Sequence, residues 1–178
     1  MEPNQPTENN MWEMMAYCDS DYAGDKDGRK SVTGFVIYIL GCLVSWKSRS
    51  QKSVTLSSTE AEYYSISELC AEIMFLKQIM EFLGIKVALP IIVRVDNVGA
   101  IYLAQNAVSG PRMKHVDIRY HFVQDYIEDS VIKIIFVRSE ENDSDIFTKN
   151  LGEEAFNKHS KKYSQALDDD GKGVGNAG

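Results

Sequence analysis

The chain has 178 residues, with 26 Asp and Glu against 19 Lys and Arg and a formal net charge of −7. An apolar fraction of 44% and a charged fraction of 25% suit one domain with its own buried core and exclude global disorder. No run of about 18 apolar residues is present, which excludes a membrane-spanning helix, and the acidity argues at first reading against a nucleic-acid partner.

In chain order, residues 1–11 are rich in Pro, Asn and Glu and read as a disordered lead-in. They lack the basic and apolar regions of a secretory signal, so the protein is expected not to be secreted. Residues 12–160 carry the periodic patterns of a folded body. Met14 to Asp19 is a candidate strand. The runs 34–39 and 42–46 flank Leu40-Gly41, which predicts a tight hairpin. Ile66, Leu69, Ile73, Leu76, Met80 and Leu83 recur at helical spacing before Gly84, and Ser57 to Glu60 reads as a capping box, so a long amphipathic helix is predicted there.

Ile91 to Val95 is a β-branched strand, and Asn97 can cap a helix from Val98 to Ala107 that Ser109-Gly110-Pro111 breaks. A helix from Val116 to Glu128, a strand from Val131 to Val137 and a short helix at Asp145 to Lys149 complete the body. Residues 161–178 are Gly- and Asp-rich and read as a flexible tail. The pattern predicts an α/β fold, a mixed sheet flanked by helices. Cys18, Cys42 and Cys70 match no zinc or disulfide spacing and read as buried small hydrophobes in a reducing compartment.

Four carboxylates are out of place on this scheme. Glu62 lies four residues before Ile66 and continues the apolar stripe, so it faces the sheet. An unpaired carboxylate there is costly unless a cation accompanies it. Asp96 closes a strand directly before a helix, the corner at which α/β sheets place their sites. Asp19 ends the first apolar run, whereas turn chemistry accounts for Asp21 and Asp25. Asp145 precedes Ile146-Phe147, with Asp143 as its candidate cap. These four can converge at one sheet edge. Carboxylate-only ligation suits Mg²⁺ or Mn²⁺, and two such ions about 4 Å apart can drive phosphodiester cleavage.

Several stretches together carry a resemblance. Tyr17 to Asp25, Arg29 to Gly34, Ser45 to Ser48, Leu56 to Tyr63, Val95-Asp96-Asn97, Lys114 to Phe122 and Asp145 to Lys149 resemble, in order, the ribonuclease H domain of Ty1/copia-type retrotransposon polyproteins. The resemblance implies a ribonuclease H-like fold with a mixed five-stranded sheet. It also implies hydrolysis of the RNA strand of an RNA/DNA hybrid by two Mg²⁺ ions, with Mn²⁺ as a substitute. The family's acidic quartet falls on Asp19, Glu62, Asp96 and Asp145. Asp19 is then expected to bridge both ions, Glu62 and Asp96 to hold the leaving-group ion, and Asp145 the ion carrying the attacking water. Ser58 and Thr59 are candidate contacts to 2′-hydroxyls or helix caps, and Asn97 contacts the hybrid or caps its helix. His115 and Lys114 can face phosphate; His121 is expected to be packed or capping. Related enzymes carry a His, linked to product release, in the loop that here reads Ser139 to Ser144 and has none.

The implied partner besides the hybrid is a reverse transcriptase domain of the same polyprotein, and the implied location is a cytoplasmic retroelement particle or the nucleus. A non-catalytic module binding hybrid or a polymerase is the alternative; an integrase or transposase of the same superfamily is disfavoured by the fourth carboxylate. Charge is also uneven. Residues 26–52 hold six basic side chains against Asp27, and Arg29, Lys30, Lys47, Arg49 and Lys52 can meet phosphates while the carboxylates hold metal. Net acidity therefore does not exclude nucleic acid; it predicts weak, salt-sensitive binding that depends on Mg²⁺.

Overall fold

The computed structural model describes residues 10–24, 29–52, 54–106 and 117–168. A two-residue strand, β1 (Met11–Trp12), precedes β2 (Met14–Asp21). β3 (Val32–Ile39) and β4 (Cys42–Ser50) fold back antiparallel through Leu40 and Gly41. Both turn residues have positive φ, 51° and 81°, as a two-residue hairpin requires. Then follow α1 (Ser58–Phe82), β5 (Lys86–Val87), β6 (Ile91–Val95), α2 (Val98–Gln105), α3 (Asp117–Glu128), β7 (Ile132–Phe136), 3₁₀ turns at Ser139–Glu141 and Asp145–Phe147, and α4 (Glu153–Asp168).

The five longer strands form one mixed sheet in the order β4-β3-β2-β6-β7. β2 runs antiparallel to β3 and parallel to β6, which is parallel to β7. This is the predicted α/β architecture. β1 and β5 pair separately, Met11 opposite Lys86, a contact too short to show as periodicity.

The side chains of β2 alternate between two faces. Ala16 and Cys18 enter the larger core under α1, with Phe35, Ile37, Val93 and Val95. Tyr17 enters a smaller cluster on the opposite face, with Val36, Tyr38 and Val137 against Phe147. On α1, Ile66, Leu69 and Ile73 are fully buried, each stabilising the docked helix by roughly 2 kcal/mol. That stripe fixes the helix's rotation, and with it Glu62 one turn earlier. Leu83, the last residue of the predicted stripe, is instead 64% exposed, because the helix ends at Phe82 and Leu83 is its C-cap. The capping box is half formed. Ser57 Oγ accepts from Glu60 N at 3.1 Å, but the Glu60 carboxylate accepts from Leu56 N at 2.6 Å.

A buried polar knot ties the start of α1 to the hairpin. Gln51 Nε2 donates to Thr33 Oγ1 and to the Ala61 carbonyl, and Ser65 Oγ donates to Thr33 Oγ1.

Three expectations are corrected. Cys42 is half-buried, since it lies on edge strand β4, although all three cysteines are free. The helix predicted at Asp145 to Lys149 is a single 3₁₀ turn. α4, which carries the backbone on to Asp168, was predicted neither as a helix nor past residue 160. The lead-in residues 1–9, Asp25, the break at Ser109 to Pro111 and residues 169–178 lie outside the described residues. Among the described residues no helix is long and apolar enough to cross a membrane.

Candidate active site

Three elements deliver carboxylates to one place. The pairing of β6 with β2 reaches Tyr17 and Arg94; two residues further on β2 stands Asp19. β6 ends at Val95, and the turn into α2 sets Asp96 beside it. Asp145 arrives on the 3₁₀ turn Asp145–Phe147, after β7. That turn packs over Gly34, the residue paired with Asp19 across β2 and β3. A Cβ on Gly34 would stand 2.5 Å from Thr148 Cγ2 and 3.1 Å from Phe147 Cβ. The missing side chain is what lets the turn approach Asp19.

Carboxylate oxygens of Asp19, Asp96 and Asp145 lie within 4.8 Å of one another. Asp19 is 1% exposed and Asp145 7%. Glu62 joins from α1: its Oε1 accepts from Ser20 N at 3.1 Å, while Oε2 is buried with no hydrogen-bond partner among the described residues. Burial, and then the charges of Asp19 and Asp96, push the Glu62 carboxyl well above its ordinary range. Burial and the Asp19 charge push Asp145 up to about 7. Burial, followed by the charge of Glu62, likewise raises the Cys18 thiol.

One cation already stands in this cluster. Lys149 Nζ lies 3.0 Å from Asp19 Oδ1 and 3.4 Å from Asp145 Oδ1. Burial lowers the pKa of this ammonium, but Asp19 and Asp145 outweigh it and hold the group above its usual range. Thr148 Oγ1 donates to the other Asp19 oxygen, and Ser139 Oγ donates to Asp96 Oδ2 at 2.5 Å. Mutual repulsion, an orphaned Glu62 oxygen and an ammonium between two aspartates describe a site built for positive charge. Its all-oxygen donor set fits Mg²⁺ or Mn²⁺.

The loop before Asp145 is pinned from within. Asn142 is fully buried; its Nδ2 donates to the Cys18 carbonyl at 3.0 Å, and its Oδ1 accepts from Ser144 N and Ser144 Oγ. Asp143 accepts from Tyr38 at 3.3 Å and pairs with His159 Nδ1 at 3.1 Å. The loop that lacks its own His is thus held by a buried His from α4.

The predicted contact residues divide. Thr59, Asn97 and Gly99 meet where α1 and α2 begin. A Cβ on Gly99 would stand 3.0 Å from Thr59 Oγ1 and 3.2 Å from Asn97 Oδ1. Asn97 caps α2, accepting from Ala100 N at 3.0 Å. Ser57, not Ser58 or Thr59, caps α1. Lys47 pairs with Glu68 at 3.2 Å and Arg49 pairs with the same carboxylate, so both already have a partner on α1. Arg29, Lys30 and Lys52 are exposed, and His121 is exposed rather than packed. Lys114 and His115 lie outside the described residues. Sequence reasoning missed Lys149, Thr148, Asn142 and His159. Only Lys149 had a signal, its spacing of four from Asp145 in a segment predicted to be helical.

No family model matches the chain. The retrovirus-related Pol polyprotein from transposon RE1 of Arabidopsis thaliana is 37% identical over 153 residues, 86% of this chain and 10% of the polyprotein. The corresponding polyprotein from transposon TNT 1-94 of Nicotiana tabacum is 38% identical over 136 residues, 76% of this chain and 10% of that one. The chain spans about a tenth of the length of the curated relatives it matches. Among solved structures, LC11-RNase H1, isolated from compost, matches with a TM-score of 0.52 at 15% identity, covering 87% of this chain and 98% of that one. The same enzyme solved in complex with an RNA/DNA hybrid matches with a TM-score of 0.51. The chain is therefore a homologue of the retrovirus-related Pol polyproteins of copia-like transposons, with a ribonuclease H fold.

Proposed function

We propose that the chain is a metal-dependent ribonuclease H that hydrolyses the RNA strand of RNA/DNA hybrids formed during reverse transcription. The observation that carries this reading is the cluster of Asp19, Asp96 and Asp145 within 4.8 Å, completed by Glu62 with a buried oxygen that none of the described residues satisfies. The structural neighbour solved with a hybrid and the Pol polyprotein relatives support the choice of substrate. A likeness to the Prototype Foamy Virus Protease-Reverse Transcriptase, with a TM-score of 0.50 at 14% identity, supports a reverse transcriptase segment of the same polyprotein as partner.

Asp19, Glu62, Asp96 and Asp145 are the residues that would hold two Mg²⁺ or Mn²⁺ ions. Such ions supply Lewis acidity toward the phosphate and lower the pKa of a bound water. The protein's part is to hold the four carboxylates rigidly. Asn142 joins the Asp145 loop to the Asp19 strand, and the α1 stripe with the Gln51 knot fixes Glu62. Thr59 and Asn97, at the helix starts beside Glu62 and Asp96, offer polar atoms toward a bound strand. Hydroxyl recognition at that position is how a protein separates RNA from DNA.

The test is cleavage of a hybrid labelled on its RNA strand, with a DNA duplex as control. Loss of the RNA strand in Mg²⁺, absent in EDTA and absent for the duplex, is the expected result. A folded protein that cuts no RNA with either Mg²⁺ or Mn²⁺ overturns the reading in favour of a binding module.

A further inference from the structure

We propose that Lys149 is an internal occupant of the cation site between Asp19 and Asp145, so that a divalent ion enters there only by displacing the ammonium. The inference rests on the two-ion reading of the four carboxylates.

Asp19 is nearly fully buried, and its two oxygens take their donors from adjacent residues of one turn, Thr148 and Lys149. A buried carboxylate stripped of its partner is strongly destabilising, so without metal the fold depends on this ammonium. Lys149 also bridges to Asp145, which places a single positive charge between the two oxygens that an ion shared by those residues would use. Ammonium and divalent ion repel, and the same oxygen lone pairs cannot serve both.

Lys149 has a way out. Its side chain is 36% exposed, and residues 150–152 between the 3₁₀ turn and α4 belong to neither element. It lines an open groove with Asp21, Ser48 and Asn150. The hydrogen bonds of Lys149 go to Asp19 and Asp145, which leaves Glu62 Oε2 and the Asp96 oxygen not bonded to Ser139 open to an ion. Two ions would therefore meet unequal sites, an open one at Asp96 and Glu62 and an obstructed one at Asp19 and Asp145. The lysine keeps the metal-free fold intact and sets the order of occupancy.

The experiment measures metal binding and stability, not cleavage. Mg²⁺ is titrated calorimetrically at pH 8 into the wild-type chain, Lys149→Met and Lys149→Arg, and melting is followed in EDTA. Removing the competing charge is expected to tighten the weaker Mg²⁺ site by about tenfold or more, ~1.4 kcal/mol, and to lower the melting temperature in EDTA. Lys149→Arg keeps the charge, in a fork that can engage both carboxylates, and is expected to show no tightening of the weaker site. If Lys149→Met does not fold without metal, the unmodified protein decides. The Lys149 ε-methylene NMR resonance is expected to move with Mg²⁺ at the midpoint of the weaker site. Binding by Lys149→Met no tighter than wild type, or an ε-methylene signal unmoved at saturation, overturns the assignment to Lys149. A wild-type chain that binds no Mg²⁺ at millimolar concentration overturns the underlying two-ion reading instead.

Discussion

Asn142 joins the strand that carries Asp19 to the turn that carries Asp145, and the cost of truncating it follows from its contacts. Asn142→Ala removes the donor to the Cys18 carbonyl and the acceptor for Ser144 N, all in a fully buried setting. The Ser144 hydroxyl can rotate toward another acceptor, so two backbone groups are left unsatisfied. At about 2 kcal/mol for each buried orphan the loss is about 4 kcal/mol, a large share of the ~5–15 kcal/mol that holds a typical domain. Urea titration in EDTA measures it as a lowered midpoint at unchanged slope. Mg²⁺ affinity and RNA cleavage are expected to fall as well, because Asp145 loses its tie to Asp19. Asn142→Asp keeps the acceptor but sets a charged oxygen against the Cys18 carbonyl, and is expected to cost more than Ala. A loss below about 1 kcal/mol for Asn142→Ala, with Mg²⁺ affinity unchanged, would refute the clamp.

Other outcomes follow from single features. Gly34→Ala drives a Cβ to 2.5 Å from Thr148 Cγ2; it is expected to destabilise by about 1–3 kcal/mol and to weaken Mg²⁺ binding, both read in one thermal-shift titration. Glu68→Gln releases Lys47 and Arg49. If those two reach phosphates, hybrid affinity rises and its dependence on salt steepens, whereas unchanged binding assigns them to holding β4 on α1. The pKa of Asp145 is raised from 3.8 to about 7 by burial and by Asp19. The native state therefore holds more protons than the unfolded chain between about pH 4 and 7, and stability in EDTA falls as pH rises through that window. Melting curves from pH 5 to 8 are expected to show this fall in the wild type and a shallower one in Asp145→Asn; equal slopes contradict it.

The parts of the fold legible in the sequence are those where one residue type repeats at one period. The α1 stripe as far as Met80, the hairpin at Leu40 and Gly41 and the β-branched runs of β6 and β7 stand where periodicity places them. α4 was not legible, because its buried face includes His159, a polar residue that apolar periodicity does not count. The acidic positions were readable because a carboxylate on an apolar stripe or at a strand end conflicts with its surroundings. Apart from the spacing of four between Asp145 and Lys149, their neighbours were not. Lys149 pairs with Asp19 across 130 residues, and Asn142 reaches Cys18 across 124; no local pattern encodes such pairs. The basic run at residues 47–49 looked like a phosphate face because the position of α1 over β4 is not written in either segment. Once that packing exists, Glu68 meets both cations.

The most direct test of the central claim compares single-turnover cleavage of a hybrid in Mg²⁺ by the wild-type chain and by Asp96→Asn. Asp96 is only partly buried and accepts a bond from Ser139 that Asn can still accept, so the variant is expected to fold and melt as the wild type does. If the carboxylate cluster does the chemistry, the wild type cuts the RNA strand and Asp96→Asn is slower by about 10² or more. Equal rates in two equally folded proteins would contradict it.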